Sequence, residues 1–187
     1  MPGAFMSMIG NAFLNEIVNE KGITQPNLIL SELRHLVIKA LKQTGEIGGT
    51  KDGMDISLLC FNNLHVEWAG ANNPLWKYSM ENGKWKMQGF LPDKRPIGFF
   101  RGEGMPFTNH KIEIQKDDAV YIFTDGFADQ FGGPKGKKFK YKQLNDMIFA
   151  ISNKPLEEQK RILEKTFDEW KGNLEQVDDV LVIGIKI

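Results

Sequence analysis

Residues 119–126 read Ala119-Val120-Tyr121-Ile122-Phe123-Thr124-Asp125-Gly126. An apolar stretch of strand length, rich in β-branched and aromatic residues, stops on a hydroxyl, a carboxylate and a glycine. The run Ala119–Phe123 is bulky enough to be a strand buried on both faces. Asp125 then stands at the strand's end, held in place while the backbone turns away. Fixed carboxylate oxygens of this kind suit a hard cation such as Mg²⁺ or Mn²⁺. An ordinary Asp-Gly turn is the plainer alternative, and the stretch alone supports both.

A second carboxylate-bearing turn precedes the last strand. Asp178-Asp179 leads into Val180–Ile187, one face of which carries Leu181, Ile183, Ile185 and Ile187, the other Val180, Val182, Gly184 and Lys186. Both faces are therefore expected to be at least partly covered. Adjacent carboxylates repel, so burying either requires a positive partner or a metal; the alternative is two solvated turn residues. If the two strands are neighbours in one sheet, Asp125 and Asp178 can meet at one cation.

Outward from this pair the chain alternates little. Helical patterns cover Tyr141–Ser152 and Leu156–Trp170. Upstream lie a strand at Phe107–Ile114 and a hairpin of Leu75–Ser79 and Lys84–Gln88 turning at Glu81-Asn82-Gly83. A further hairpin joins Met54–Phe61 to Leu64–Trp68 through Asn62-Asn63, after the glycine-rich loop Gly45–Gly53. Two amphipathic helices come first. One runs from Ala4 to about Asn19 with a stripe of Phe5, Ile9, Ala12, Phe13 and Ile17. The other starts at Pro26 with Leu30, Leu33, Val37, Ala40 and Leu41, and Gly45 supplies its left-handed terminator. Two helices, about six strands, two helices and one strand argue an α+β fold.

Composition narrows the function classes. The chain has 187 residues, enough for one domain, and 41% are apolar, enough for a core. Lys plus Arg and Asp plus Glu both number 24, so no overall field favours nucleic acid or an anionic membrane. No apolar run approaches the roughly 20 residues of a membrane span. The single cysteine, Cys60, makes no internal disulfide and reads as a small apolar residue, and a cytoplasmic protein is expected. His35, His65 and His110 lie in no metal-ligand or triad pattern and read as structural or surface residues.

The motifs resemble a known family. Pro2-Gly3-Ala4-Phe5-Met6-Ser7, Asp52-Gly53-Met54-Asp55-Ile56, Ala69-Gly70-Ala71-Asn72-Asn73-Pro74, Pro96-Ile97-Gly98, Thr124-Asp125-Gly126-Phe127-Ala128-Asp129-Gln130 and Gln176-Val177-Asp178-Asp179-Val180 follow one another along essentially the whole chain. In that order they are similar to the SpoIIE/RsbU-like branch of the PPM-type metal-dependent serine/threonine phosphatases. The resemblance implies a β-sandwich flanked by helices, with two Mn²⁺ or Mg²⁺ ions at one end. It also implies hydrolysis of phosphoserine or phosphothreonine by a metal-activated water, without a phosphoenzyme.

By motif match, Asp125 and Asp178 are the metal ligands, with Gly126, Asp179, Asn73 and Asp55 in supporting places. Asp55 reads equally as a turn cap or as a residue aiding a switch between inactive and active forms. A threonine or serine is usual in the family where Leu181 stands here. The family's bridging aspartate and its Gly-His-Gly segment precede the Pro-Gly that is Pro2-Gly3 here. Residues 1–187 are accordingly expected to be one N-terminally incomplete domain, lacking the first strands, with two carboxylates that make a poor cage and little phosphatase activity. The expected partners are a phosphorylated regulator of the anti-sigma-factor antagonist type, an upstream sensor in the parent protein, and a second copy in a homodimer covering bared sheet edges. The alternative is a non-catalytic module that binds the same partner or itself. Lys135, Lys137, Lys138, Lys140 and Lys142 form either a solvated loop or a flap attracting an anionic phosphoprotein.

Overall fold

The computed structural model describes residues 3–45, 52–62, 65–100 and 105–187. The opening Met1-Pro2, the centre of the Gly45–Gly53 loop, and Asn63 and Leu64, on which the expected Asn62-Asn63 turn and the start of its following strand fall, lie outside the described residues; Asn62 itself ends a strand. The chain forms two compact units, one of residues 1–74 and 90–114, the other of 75–89 and 115–187. Helices and antiparallel sheets make up both, as the α+β reading expects.

The first unit opens with α1 (Gly3–Asn15), a π-helical turn at Glu16–Glu20, and α2 (Pro26–Ala40). The buried stripe of α1 is Met6 and Gly10 with Ile9 and Phe13 beside them; Phe5 and Ala12, expected inside, are exposed. The wider π turn delivers Ile17 to the core fully buried. Leu30, Leu33 and Val37 of α2 are buried as expected, while Ala40 is exposed. The helix ends earlier than the Gly45 reading places it. Lys42 takes the left-handed conformation at φ 49°, and the Gln43 amide N–H closes the end on Ile38 O at 3.0 Å. Gly45 is also left-handed, but its role is a close approach: an added Cβ would lie 2.1 Å from the Phe99 ring.

Beneath these helices lies the sheet β1 (Ile56–Asn62), β2 (His65–Ala71) and β5 (His110–Glu113), in the order β1-β2-β5. The last strand is shorter than Phe107–Ile114. The Phe107 and Thr108 amides bond Ser31 Oγ and Asp93 Oδ2 instead of a neighbouring strand, so pairing starts at His110 opposite Trp68.

The second unit is built on β3 (Leu75–Glu81), β4 (Lys84–Phe90), β6 (Ala119–Phe123) and β9 (Val182–Lys186), ordered β4-β3-β6-β9. Asn82 and Gly83, both at positive φ, make the tight turn between β3 and β4. Aromatic side chains of β3 and β6 (Trp76, Tyr78, Tyr121 and Phe123) pack with residues of α4 (Tyr141–Ile151) and α5 (Leu156–Lys171) in one core. Among the described residues, no helix is long and apolar enough to cross a membrane.

Two features depart from expectation. A short helix α3 (Gly126–Asp129) and a small hairpin, β7 (Phe131–Gly132) with β8 (Lys137–Lys138), fill the segment between β6 and α4. The expected apolar face of the last strand is covered only in part: Leu181, just before β9, is 53% exposed and Ile183 40%, while Ile185 and Ile187 are half-buried.

Candidate metal centre

β6 and β9 are antiparallel neighbours, with Phe123 opposite Val182. The C-terminal end of one and the N-terminal end of the other therefore meet at the same end of the sheet, carrying Thr124-Asp125-Gly126 and Asp178-Asp179. Ala119, Val120, Tyr121 and Phe123 of β6 are all buried, so the strand that carries Asp125 is fixed on both faces.

Thr124 fastens the two turns together. Its amide donates to Leu181 O at 3.0 Å, its hydroxyl donates to Asp179 O at 2.7 Å, and the Thr124 Oγ1 in turn accepts the Leu181 N–H at 3.0 Å. These bonds replace the regular ladder above Val182, which is why the strand begins later than Val180. The corner does carry a hydroxyl although position 181 is leucine; Thr124 supplies it from the opposite strand.

Gly126 is required by contact. An added Cβ would stand 2.5 Å from Asp179 O and 3.2 Å from Val180 Cγ2. Asp125, half-buried between Thr124 and Gly126, is thus bracketed by two residues that both touch the Asp179 backbone. Its own carbonyl accepts the Asp129 N–H at 2.9 Å, starting α3. Asp178 and Asp179 are exposed; Asp178 Oδ1 accepts the Asp179 N–H at 2.7 Å, and the Gln176 side-chain amide donates to Asp178 O at 2.8 Å.

Gln130 is the residue that sequence reasoning passed over. It is fully buried, and its amide donates to Phe131 O at 3.0 Å and Glu175 O at 2.9 Å while its oxygen accepts the Val177 N–H at 3.3 Å. The indole of Trp170 donates to Gln130 O at 3.0 Å. Residues 175–177, just before the acidic pair, are thereby held to the segment that follows Asp125. The signal was a polar amide closing the Thr124–Gln130 motif, a position for which spacing suggests no partner.

The structure therefore groups Asp125, Gly126, Asp178 and Asp179 at one corner of the second unit. Asp55 and Asn73 belong to the first unit. There Asp55 Oδ1 accepts a hydrogen bond from the Asn72 side chain at 2.8 Å, and buried Asn73 donates its backbone N–H to Ala71 O at 2.8 Å. Asn72 itself is left-handed at φ 61°, so these residues order a turn after β2. The histidines are spread over α2, β2 and β5. Cys60 is half-buried, and burial raises its thiol pKa, the reverse of an activated nucleophile.

The side-chain groups at this corner are all oxygen, three carboxylates and the Thr124 hydroxyl, the chemistry of Mg²⁺ and Mn²⁺ sites. Among the described residues there is no group of three or more His, Cys, Asp or Glu able to hold a metal ion. The corner thus fits one hard cation that keeps several waters, and does not fit a self-contained two-ion cage.

Known proteins give these features a context. The family model described as Stage II sporulation protein E (SpoIIE) matches residues 2–187. The SiaA-PP2C domain of Pseudomonas aeruginosa is 25% identical with a TM-score of 0.83, over all of this chain and 71% of that one. The catalytic domain of the serine threonine protein phosphatase PstP, solved with 2 manganese ions, is 11% identical with a TM-score of 0.59, over 97% of this chain and 79% of that one. PppA, a regulatory component of T6SS in Pseudomonas aeruginosa, is 12% identical with a TM-score of 0.55, over 83% of this chain and 66% of that one. At 11% and 12% identity the last two show likeness of fold alone. No curated protein matches the chain at a significant level.

Proposed function

Because the chain belongs to the SpoIIE family of PPM-type phosphatase domains, we propose that it hydrolyses phosphoserine or phosphothreonine on a partner protein, using a divalent cation held in part by Asp125 and Asp178. The observation that carries this reading is the lock of Thr124 and Gly126 onto Asp179, which brings two distant carboxylate turns to one sheet corner. Asp125 is the more rigid of the two because its strand is buried; Asp178 is positioned through Gln176 and the Asp179 amide. Asp125 and Asp178 would hold a Mn²⁺ or Mg²⁺ there, and the ion would supply an acidified water and offset the charge of the phosphoryl oxygens. A phosphorylated regulator of the anti-sigma-factor antagonist type is the partner class we assign, in a signalling pathway fed by an upstream sensor.

The test is release of phosphate from a phosphoserine peptide with added Mn²⁺. Activity that falls at least about a hundredfold in Asp125→Ala supports the reading, since even residues supporting a metal ligand are worth roughly 10–100-fold. Undiminished activity in that variant contradicts it. A second reading, a partner-binding module without turnover, is favoured by the absence of any three-ligand group among the described residues. It predicts partner binding with no phosphate release at any Mn²⁺ concentration.

A further inference from the structure

Residues 130–145 carry Lys135, Lys137, Lys138, Lys140 and Lys142 and no acidic residue, in a chain whose charges cancel overall. All five lysines are exposed. Among the described residues, only Lys138 of the five has a protein partner, bonding Asp129 Oδ2 at 2.8 Å and lying 5.8 Å from the centroid of the Phe131 ring. The field of the other four is directed to solvent.

The lysines sit on a fixed platform. Phe139, in their midst, is 2% exposed and packs its ring 5.1 Å from both Phe127 and Trp170. Gly133 donates its amide to Trp170 O at 2.8 Å, and a Cβ at Gly132 would lie 1.8 Å from that same oxygen. Lys140 donates its amide to Ala128 O, and the Phe139 N–H bonds Gln130 O at 3.0 Å. Through Gln130 the platform is tied to Glu175 and Val177, directly before Asp178. A solvated loop needs none of this anchoring.

We propose that the β7–β8 hairpin and the start of α4 form a docking surface for a peptide partner that carries acidic residues beside its phosphorylated residue. The inference rests on the phosphatase reading for the phosphorylated character of the partner only. Lysine, a flexible point charge, suits carboxylates in varied positions and lacks the bidentate fork of arginine, so the surface steers and retains an acidic segment without fixing its sequence. Its span of one hairpin matches a short peptide. The acidic corner linked to it through Gln130 disfavours a long polyanion such as nucleic acid.

Fluorescence anisotropy on the 187-residue chain separates the outcomes, with three labelled peptides: acidic phosphorylated, acidic unphosphorylated and neutral phosphorylated. The acidic peptides should bind more tightly, with affinity that weakens as salt is raised. The charge reversal Lys135→Glu, Lys137→Glu, Lys142→Glu should weaken that binding roughly tenfold or more, and the matching triple change to Arg should preserve it. Equal binding of acidic and neutral peptides, or no loss on charge reversal, overturns the proposal, as does preferential binding of a single-stranded oligonucleotide. Because the readout is binding, failure of phosphate release would reject the catalytic reading and leave this result standing.

Discussion

Replacing Gly126 by alanine tests the geometry of the corner at a single atom. The added Cβ would be 2.5 Å from Asp179 O, whereas carbon–oxygen contacts settle near about 3.3 Å. One backbone must therefore retreat by roughly 0.8 Å. β6 is buried on both faces, so the exposed Asp178-Asp179 turn is the part that gives way. A retreat of that size takes the Thr124 Oγ1 to Asp179 O bond from 2.7 Å to the outer limit of hydrogen bonding. Overpacking of this kind costs about 1–3 kcal/mol. The weakened hydrogen bond adds about 1 kcal/mol. At about 2–4 °C per kcal/mol for a chain of this length, Tm should fall on the order of 10 °C. A shift above about 0.5 Å also exceeds what a functional constellation tolerates, so Mn²⁺ affinity should fall together with Tm. Differential scanning calorimetry and isothermal titration with Mn²⁺ read the two effects. A Gly126→Ala variant that melts and binds Mn²⁺ like the parent chain would refute the claim that this contact sets the corner.

Other substitutions probe the supports separately. Gln130→Leu leaves Glu175 O and the Val177 N–H without their buried partner; it should destabilise the chain by about 3 kcal/mol, seen as a lower urea midpoint with unchanged slope. Burial holds the Tyr78 and Tyr121 hydroxyls above the ordinary tyrosine value near 10. The unfolded chain loses these protons first, so stability should be flat below about pH 10 and decline as pH rises further. A decline of the same size in Tyr78→Phe would contradict that assignment. Cys60, with its thiol pushed up by burial, should react slowly with iodoacetamide at pH 7.5 and rapidly once the chain is unfolded; fast labelling of the native chain would show the thiol to be open.

Patterns of two and 3.6 residues located the helices and most strands because each element buries one side. The β3–β4 turn was legible for a chemical reason, Asn82-Gly83 being a pair that accepts positive φ. Where the reading slipped, a side chain had taken a backbone partner: Ser31 and Asp93 shorten β5, and Thr124 delays β9. Those contacts cross 15 to 76 positions of sequence, beyond any local periodicity. The phase of α1 was misjudged at Phe5 and Ala12 because the buried stripe follows Met6 and Gly10. At the candidate site the carboxylates themselves were visible as residues at the mouths of apolar strands. Their adjacency was not, since it follows from β6 and β9 being neighbours. Gln130 escaped notice because a lone glutamine becomes informative only when its burial and its bonds are known.

The central claim is that Asp125 and Asp178 serve one divalent cation, and Mn²⁺ binding followed by electron paramagnetic resonance tests it most directly. Titration of the parent chain should remove the free-Mn²⁺ signal saturably. Asp125→Asn and Asp178→Asn should each weaken binding at least about tenfold, and the double variant should lose little more, since both remove oxygens from the same ion. An Asp178→Asn chain that takes up Mn²⁺ as the parent does would contradict a shared site.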